Sequence, residues 1–331
     1  MGERVLVTGA AGFLGRHLIA TLVAAGSPTV ALCRDPTALA ALASPALEVT
    51  TANVRDAEAC ARMLRGVDTV FHLAAVRHRP GSNPEEMIAV NERATVRLAR
   101  QAAEGGADRF IHVGSAQAWG PSSVPLDEEA PLVADGAVSL YAESRARAML
   151  QLRALAAEGV PVVTLAPTIV FGPDHPSRPN RVTSHMRRVL RRGWDIVIAG
   201  GEAPRDLVHV DDVVTALLAA ARTPAAVGKE LLLTGEPVSQ HGLARMVSAA
   251  AGRRPPRLLS LPFPAAQAAA RLLDGVRGYD PRCGWTSSVA TLAQSWTFRG
   301  DRAREVLGHQ PRPLAQGVAE TVASIRRGAA S

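Results

Sequence analysis

The chain has 331 residues, 47% of them hydrophobic, which is enough for one large domain or two linked domains with a real core. No apolar run reaches the length of a membrane span, and the N-terminus lacks a secretory pattern. Cys33, Cys60 and Cys283 show neither paired nor metal-ligand spacing. We therefore expect inert thiols, no metal site and a cytoplasmic location.

The net charge of +7 is concentrated in one segment. Between Arg178 and Arg205 lie seven arginines against Asp195 and Glu202, a local charge of +5, and the rest of the chain is nearly balanced. A confined positive segment favours an anionic small molecule over a nucleic-acid surface. The alternative interpretation is that the predicted helix Arg181–Arg192 simply has a solvated basic face.

Short apolar runs alternate with helical patterns through the first half of the chain. Strands are predicted at Val5–Val7, Thr29–Cys33, Leu47–Ala52, Val70–Ala75, Phe110–Gly114 and Val160–Leu165. Helical patterns occupy Phe13–Leu22, Pro36–Ala43, Met87–Glu104 and the stretch that begins near Ser139. This alternation predicts an α/β fold with a doubly wound parallel (Rossmann) sheet. His72, between apolar neighbours, is expected to be a core residue.

The alternation loosens beyond Pro167, where Pro and Gly predict a long loop over Phe171–Pro179. Further helices are predicted at Arg181–Arg192, Asp212–Ala221, after Ser239 and at Leu314–Arg326, with strands at Ile196–Ile198, Arg205–Val210 and Glu230–Thr234. This half is therefore expected to be less regular than the first.

The stretch Arg4–Gly15, RVLVTGAAGFLG, places three glycines where the first strand turns into the first helix. Gly9 permits the tight turn, Gly12 lets backbone N–H groups approach a pyrophosphate, and Gly15 lets the helix pack closely on the strand. The positive end of the helix dipole then faces the phosphates. The turn predicts a dinucleotide site.

The end of the second predicted strand favours NADP over NAD. In dinucleotide-binding folds an acidic residue at this point holds the adenosine ribose of NAD. Here the strand ends Cys33-Arg34-Asp35, and Arg34 is well placed to meet a 2′-phosphate. We expect NADP, with NAD possible; the alternative is that Arg34 is a solvated loop residue.

Motifs in a fixed order run the length of the chain: Thr8–Gly15, Phe71–Ala75, Asn91 with Thr95, Ser115–Gly120, Tyr141–Arg145, Phe171–Pro173, Arg205–Asp212 and Leu307–Pro311. Together they resemble the extended short-chain dehydrogenase/reductase family, in its NAD(P)-dependent epimerase/dehydratase group. The resemblance implies an NAD(P)-binding Rossmann domain (residues 1–170 and 207–236). It also implies a smaller, mainly C-terminal substrate-binding domain (residues 171–206 and 237–331).

The resemblance assigns Tyr141 as the acid/base that exchanges a proton with a substrate hydroxyl while hydride passes to or from nicotinamide. A free tyrosine has a pKa of about 10, and a nearby cation favours the phenolate. In the family this cation is a lysine one helical turn further on, where this chain has Arg145. Ser115 would hydrogen-bond the oxygen that changes between alcohol and ketone. The implied activity is that of a ketoreductase or epimerase.

The arginine at position 145 leaves two interpretations open. Arg145 keeps the positive charge and can hydrogen-bond ribose hydroxyls, but a planar guanidinium is not interchangeable with an ammonium. Lys229, the only lysine, precedes a late predicted strand and does not easily substitute. Either Arg145 does the work of the lysine, or the chain binds NADP as a sensor or scaffold without redox activity. We favour activity because Tyr141 and Ser115 are both present.

The resemblance extends the cofactor site along the predicted sheet edge. Asn53 stands where the family commonly has an aspartate that touches the adenine, and the small residues that end the fourth predicted strand would let the cofactor lie against the sheet. The full set of expected cofactor residues is Gly9, Gly12, Phe13, Leu14, Gly15, Arg34, Asn53, Val54, Leu73, Ala74, Ala75, Asn91, Tyr141, Arg145, Pro167 and Ile169.

The implied substrate residues are Ser115, Gln117, Trp119, Asn180 and Arg205. Trp119 replaces the usual tyrosine as a larger aromatic wall. Arg205 and Asn180 match residues that, in nucleotide-sugar members, contact the diphosphate and the sugar-nucleotide. They suggest a phosphorylated or nucleotide-linked sugar.

Two further stretches bear on the substrate and the assembly. Ser115-Ala116-Gln117 stands where sugar-nucleotide dehydratases have Thr-Asp-Glu, so dehydration is not expected. Leu261–Pro264 and the apolar helix after it resemble the corresponding stretch in reductases of ketone or sterol-like substrates, which leaves the substrate class open.

We expect a small-molecule substrate, no nucleic-acid or membrane partner, and a homodimer formed through helices Met87–Glu104 and Tyr141–Glu158.

Overall fold

The computed structural model describes residues 3–174 and 180–328. Its strands are β1 (Val5–Thr8), β2 (Thr29–Cys33), β3 (Leu47–Thr51), β4 (Thr69–His72), β5 (Arg109–Val113), β6 (Val162–Pro167), β7 (Ile169–Phe171), β8 (Trp194–Ile198), β9 (Arg205–His209), β10 (Glu230–Leu233), β11 (Glu236–Val238) and β12 (Arg257–Leu261). Arg178 and most of the predicted loop Phe171–Pro179 lie outside the described residues.

The helices follow the predicted order closely. They are α1 (Phe13–Ala24), α2 (Ala57–Met63), α3 (Pro84–Ile88), α4 (Thr95–Glu104), α5 (Leu140–Ala157), α6 (Arg181–Arg192), α7 (Val210–Arg222), α8 (Gln240–Ala250), α9 (Phe263–Arg277), α10 (Trp285–Ala293), α11 (Asp301–Leu307) and α12 (Leu314–Arg327). Pro36–Leu42, predicted as helix, is a 3₁₀-helix, and other short 3₁₀ turns include Ala116–Trp119. In the described ranges no helix is both long and apolar enough to cross a membrane.

Seven parallel strands form the central sheet in the order β10-β6-β5-β4-β1-β2-β3. The winding direction reverses between β1 and β4, so the doubly wound Rossmann-like sheet is confirmed. In such a sheet the crevice outside the carboxyl ends of the strands at the reversal point binds the ligand. The glycine turn after β1 and residues 73–76 after β4 border this crevice.

Helices cover both faces of this sheet, which is why its central strands are buried on both sides rather than on alternate residues. On one face Leu18 of α1 and Leu217 of α7 pack against the strands. On the other face Leu98 of α4 and Leu152 of α5 do the same. Every residue of β1 and β2 is buried.

The C-terminal region is smaller and has its own core. Strand β9 lies between β7 and β11 in a three-stranded sheet, and β8 pairs with β12. Helices α6, α8 and α12 share an apolar cluster that includes Met186, Val247 and Val318. The expected boundary between residues 206 and 207 falls inside β9, because that strand belongs as a whole to the small sheet.

Two local predictions differ from the structure near the crevice. The strand predicted as Val70–Ala75 ends at His72, and the following residues leave the sheet. The helix predicted from Met87 begins at Pro84 because Asn83 caps it, its Oδ1 accepting from the Glu86 N–H at 3.1 Å. A π-helical segment, Ala89–Ala94, joins α3 to α4. Such segments are frequent at functional sites.

Candidate active site

The glycine turn is shaped by close backbone contacts. Gly9 has a φ of +68°, and a Cβ there would lie 2.7 Å from the amide nitrogen of Ala74. A Cβ on Gly15 would lie 2.7 Å from the carbonyl oxygen of Ala10. Both glycines are therefore required by the turn itself, since backbone atoms cannot move aside as a side chain can.

Gly12 has a different position in the turn. Its φ of −72° is ordinary, and it is the exposed N-cap residue of α1. Because glycine has no side chain to cap the helix, the first N–H groups of α1, at Phe13 and Leu14, are left for another acceptor. N–H groups without an acceptor at the start of a helix fit a pyrophosphate.

His72 fixes the other wall of the crevice from the core. Its Nδ1 lies 2.8 Å from Thr8 Oγ1 and its Nε2 lies 2.9 Å from Thr95 Oγ1. Burial, followed by the charge of Arg145, lowers the pKa of His72 to about 3, so the ring is neutral. Thr8 Oγ1 also accepts from the Ala74 N–H at 3.3 Å. The expectation of a core histidine is confirmed.

Asn91 lies in the π-helical segment and is fully buried. Its Oδ1 accepts from the Val76 N–H at 2.8 Å, and its Nδ2 donates to the Val76 carbonyl at 3.0 Å and to Ser144 Oγ at 3.2 Å. The amide is thus engaged in tying the segment after β4 to α5. Any effect of Asn91 on a cofactor passes through Val76.

Arg145 is only 2% exposed, an unusual burial for an arginine. Its Nη2 donates to the Val113 carbonyl and lies 3.4 Å from His112 Nε2. Burial lowers the pKa of Arg145, and the nearby Tyr141 opposes this effect. Within the described part of the chain Nε and Nη1 have no hydrogen-bond partner. Buried donors of this kind call for acceptors such as ribose hydroxyls.

His112, which sequence reasoning missed, is the side chain that meets this guanidinium. It is fully buried on β5, and its pKa is well below the usual range because of burial and the charges of Arg145 and His72. A neutral imidazole can accept from Arg145 through Nε2. The only signal in the sequence is that His112 stands three residues before Ser115, near the end of a predicted strand.

Ser115 and Tyr141 lie where the central sheet meets α5. Ser115 follows β5 and caps the short helix Ala116–Trp119, its Oγ accepting from the Gln117 N–H at 3.3 Å. Tyr141 is in the first turn of α5, which Ser139 caps. Ala116 and Ala146 of α5 belong to one apolar cluster, and the short helix after Ser115 packs against α5. The Ser115 hydroxyl keeps its proton available to donate.

Two expected substrate residues have structural roles. Trp119 is buried in a core cluster with Met149 and Trp296, so its ring does not form an open wall, and its Nε1 has no hydrogen-bond partner among the described residues. Asn180 caps α6: its Oδ1 accepts from the Val182 N–H at 2.8 Å and its Nδ2 donates to the Val170 carbonyl at 3.1 Å. Sequence alone could not separate these roles from substrate contact.

Arg205 differs from these two. It lies half-buried at the start of β9, and its Nε is buried without a hydrogen-bond partner among the described residues. Burial and the charge of Arg181 lower the pKa of Arg205 to about 10. Gln117 is also half-buried. Arg205 therefore keeps a donor that no described residue accepts from.

The remaining expected cofactor residues lie at or near the ends of strands. Arg34 follows β2 and is 74% exposed, with Glu86 Oε1 3.3 Å from its Nη1. Asn53 Oδ1 accepts from the Arg55 N–H at 3.0 Å, which leaves its amide nitrogen for a ligand. Val54 and Pro167 are buried, and Leu73, Ala74, Ala75 and Ile169 are half-buried. No described residues form a group of three or more metal-ligating side chains.

The chain is similar to known proteins over most of its length. The model of the NAD dependent epimerase/dehydratase family matches residues 5–233. A UDP-glucose 4-epimerase of Mycolicibacterium smegmatis is 30% identical, with 98% of each chain covered. A 4-hydroxy-2-methyl-3-oxo-4-farnesyl-3,4-dihydroquinoline-1-oxide ketoreductase of Stigmatella aurantiaca is 27% identical, covering 95% of this chain and 93% of its own.

Among solved structures, MoeE5 in complex with UDP-glucose and NAD is 27% identical and superposes with a TM-score of 0.78 over 99% of this chain and 100% of its own. The glycine turn, the open end of α1 and the orphaned donors of Arg145 fit the dinucleotide that such a structure binds. The chain belongs to the NAD-dependent epimerase/dehydratase family and is, at that level, an NAD(P)-dependent epimerase or oxidoreductase.

Proposed function

We propose that the protein is a ketoreductase or epimerase that acts on a secondary alcohol or ketone, with Tyr141 as the acid/base. The observation that carries this proposal is the buried guanidinium of Arg145, which lies near Tyr141 with two donors unpartnered in the described structure. Bound NAD(P) would supply or accept the hydride. Leaving such donors unsatisfied costs about 1–3 kcal/mol each, so a ligand that accepts from them gains that energy.

Each residue has a separate task in this proposal. Tyr141 exchanges a proton with the substrate hydroxyl, and Ser115 donates a hydrogen bond to the same oxygen. Arg145 holds the ribose next to the nicotinamide and keeps a positive charge beside the phenol. Gly12 and the N-terminus of α1 hold the pyrophosphate.

NADP is the cofactor we propose first, because Arg34 follows β2 where an acidic residue would select NAD. The exposed pair of Arg34 with Glu86 is no obstacle, since such pairs contribute at most about 1 kcal/mol. A 2′-phosphate is a stronger partner for a guanidinium. The solved relative with NAD bound makes NAD the second choice.

The proposed substrates fall into two groups, matching the relatives. One relative is named for UDP-glucose and another for a quinoline ketone. The orphaned Nε of Arg205 supports a phosphorylated or nucleotide-linked sugar. The nucleotide that co-purifies separates the two activities: tightly held NAD favours an epimerase, and exchangeable NADP favours a reductase.

The test of the mechanism is Tyr141→Phe, assayed by nicotinamide absorbance on a panel of UDP-sugars and ketones. We expect turnover to fall by about 10²–10⁴-fold, because the acid/base is lost. Tyr279→Phe, which alters the other tyrosine in the chain, is the matched control and keeps full activity. Unchanged turnover in Tyr141→Phe would disprove the proposed mechanism.

The competing proposal is a cofactor-binding protein without redox activity, favoured by the arginine at position 145. It predicts tight cofactor binding and no hydride transfer in the natural protein on the whole panel, and a gain of activity in Arg145→Lys. Turnover by the natural protein on any substrate of the panel eliminates this alternative.

A further inference from the structure

Large apolar side chains are exposed on one part of the C-terminal region. Among the described residues, the large apolar side chains that are exposed lie on β8, β12, α9 and α10, apart from Val49, Val124 and Leu150. Most of them belong to the group Trp194, Ile196, Leu259, Leu261, Leu272 and Val276, which we call the apolar patch. Single exposed apolar residues need no explanation, but a concentration of them marks an interaction surface.

Strands β8 and β12 contribute one face of their parallel pair to the apolar patch. Ile196 lies opposite Leu259 in the register of the two strands. Because side chains alternate between the faces of a strand, the exposed face carries Trp194, Ile196, Leu259 and Leu261. Asp195 points to the other face, where it is buried against α6. The pair is therefore covered on one face and exposed on the other.

Helix α9 continues this surface with its apolar side chains turned outward. Residues 259–265, which join β12 to α9, are all exposed. The buried residues of α9 are Ala266, Ala270 and Asp274, which recur about one turn apart and form the stripe that faces the protein. Leu272 and Val276 project from the opposite side and are 69% and 75% exposed. A surface helix ordinarily has the reverse arrangement, with its apolar stripe buried.

The carboxylate of Asp274 holds α9 in this orientation. Its two oxygens accept from the N–H groups of Trp285 at 2.7 Å and Thr286 at 2.8 Å, the first residues of α10. A negative charge at the N-terminus of a helix is favourable. Turning α9 to bury Leu272 would break both hydrogen bonds, so the apolar side stays outward.

The exposed charges beside the apolar patch are positive. Residues 186–201 and 253–278 contain two carboxylates, those of Asp195 and Asp274, and both are buried. The exposed arginines of these segments include Arg191, Arg192, Arg254, Arg257, Arg271 and Arg277. Arg192 lies over the ring of Trp194, with its Cζ 5.4 Å from the ring centre. The patch is thus bordered by arginines on both its strands and its helix.

The carboxylates that follow these segments are paired locally. Glu202, after β8, has its Oε1 2.9 Å from His241 Nδ1. Asp280, after α9, forms an ion pair with Arg282 at 2.8 Å. A partner of the apolar patch therefore meets apolar side chains together with positive charge.

A second copy of the chain fits this surface less well than an anionic bilayer does. A two-fold contact brings a surface against itself, so Arg271 and Arg277 would approach their own copies. Like charges in such a contact repel each other. At a bilayer, the arginines reach the phosphates while the apolar side chains enter the acyl boundary, and tryptophans are enriched at this depth.

We propose that the apolar patch binds the surface of an anionic phospholipid bilayer, with α9 lying in the plane of the interface. The sequence predicts no membrane partner, because no apolar run is long enough to span a bilayer, but an interfacial helix needs no such length. Binding at this surface goes beyond the proposed oxidoreductase activity and does not depend on the role of Tyr141.

The test is co-sedimentation with sucrose-loaded vesicles, made either of phosphatidylcholine alone or of equal parts of phosphatidylcholine and phosphatidylglycerol. We expect the natural protein to bind the mixed vesicles at least about tenfold more tightly than the neutral ones. The double variant Leu272→Ser/Val276→Ser should lower the partition coefficient about 10–100-fold, since it removes apolar burial. Val124→Ser, at an exposed apolar residue outside the patch, is the matched control and keeps the natural affinity.

Two further double variants test the strands and the charges. Ile196→Ser/Leu259→Ser should weaken binding about as much as the α9 variant does. Arg271→Gln/Arg277→Gln should lower the partition coefficient about 10–30-fold on mixed vesicles, because each arginine near an anionic surface contributes about fivefold. The same variant should bind neutral vesicles as the natural protein does.

Tryptophan emission and melting temperature separate a lost membrane contact from a folding defect. Trp119 and Trp296 are buried, so a blue shift of the natural protein on mixed vesicles reports insertion of Trp194 or Trp285. Because the substituted side chains are exposed, the variants should melt at the natural temperature. The proposal is refuted if the natural protein binds neither kind of vesicle, or binds without a blue shift. It is equally refuted if the α9 variant binds as tightly as the natural protein, or turns a lipid-free dimer into a monomer, which would assign the patch to a second copy.

Discussion

A single guanidinium in place of an ammonium changes what the surrounding residues must provide. Arginine brings five N–H donors in a rigid plane, against three freely rotating donors in lysine. Nη2 of Arg145 donates to the Val113 carbonyl and lies beside the neutral ring of His112. Nε and Nη1 have no acceptor among the described residues, and we propose that a ligand provides it. The identity of residue 145 was readable from the sequence, but its acceptors were not, because they come from a distant strand.

The cofactor preference also depends on one residue, Arg34. We expect Arg34→Ala to weaken NADPH binding about 10–100-fold, because a charged contact to the 2′-phosphate is lost, and to leave NADH binding unchanged. Fluorescence titration of both nucleotides measures the ratio. Arg55→Ala, an exposed arginine after β3, is the control. Glu86→Gln should bind NADPH at least as tightly as the natural protein, since it frees Arg34. An unchanged NADPH/NADH ratio in Arg34→Ala would assign Arg34 to solvent.

The turn from β1 into α1 combines two requirements that substitutions can separate. Gly15 is needed by packing, because a Cβ meets the Ala10 carbonyl, whereas Gly12 has an ordinary φ and a Cβ there lies 3.0 Å from the Gly9 oxygen. We expect Gly15→Ala to lose roughly 3 kcal/mol of unfolding free energy, and Gly12→Ala about 1 kcal/mol or less. Gly12→Ala should instead raise the cofactor dissociation constant at least about tenfold, since its methyl meets the pyrophosphate.

Thermal unfolding and cofactor titration together check this separation. Gly26→Ala is the control for a general loss of stability: Gly26 has a φ of +67° and no described atom within 4 Å of its Cβ position. It should lose about 1 kcal/mol and keep cofactor affinity. If Gly12→Ala binds the cofactor as tightly as Gly26→Ala does, the pyrophosphate is not held at this turn.

Elements whose pattern is local were predictable, and those that depend on tertiary contacts were not. The helix Arg181–Arg192 has the predicted bounds, because both of its end signals are neighbours in sequence: Asn180 caps its first turn and Gly193 ends it in the left-handed conformation. The π-helical segment could not be predicted from the sequence. It adds about one residue to a turn of an otherwise continuous helix, and this does not change the types of residue that the helix contains. The same limit explains Trp119, whose burial is decided by Met149 and Trp296 from elsewhere in the chain.

At the scale of the whole molecule, we propose α4 and α5 as the surface of the homodimer expected from the sequence. Their inner faces are buried on the central sheet, and the outer face of α5 presents Leu150, 38% exposed, next to the exposed Gln151 and Ala154. Leu150 and Ala154, one helical turn apart, are apolar and small enough for close helix packing. A two-fold interface repeats each contact, so one substitution there acts twice.

Leu150→Arg should therefore convert a dimer into a monomer, because it brings two charges into an apolar contact at the axis. Sedimentation velocity measures the mass directly. Leu272→Arg on α9, where the leucine is 69% exposed, is the matched control and should leave the dimer intact. If the natural protein sediments as a monomer, there is no such dimer. If Leu150→Arg still sediments as a dimer, the contact lies on another surface. Tyr141 lies in the first turn of the same helix, so the monomeric variant also tests whether the dimer holds α5 in place. If its cofactor affinity is undiminished, packing on the sheet is enough to position Tyr141 and Arg145.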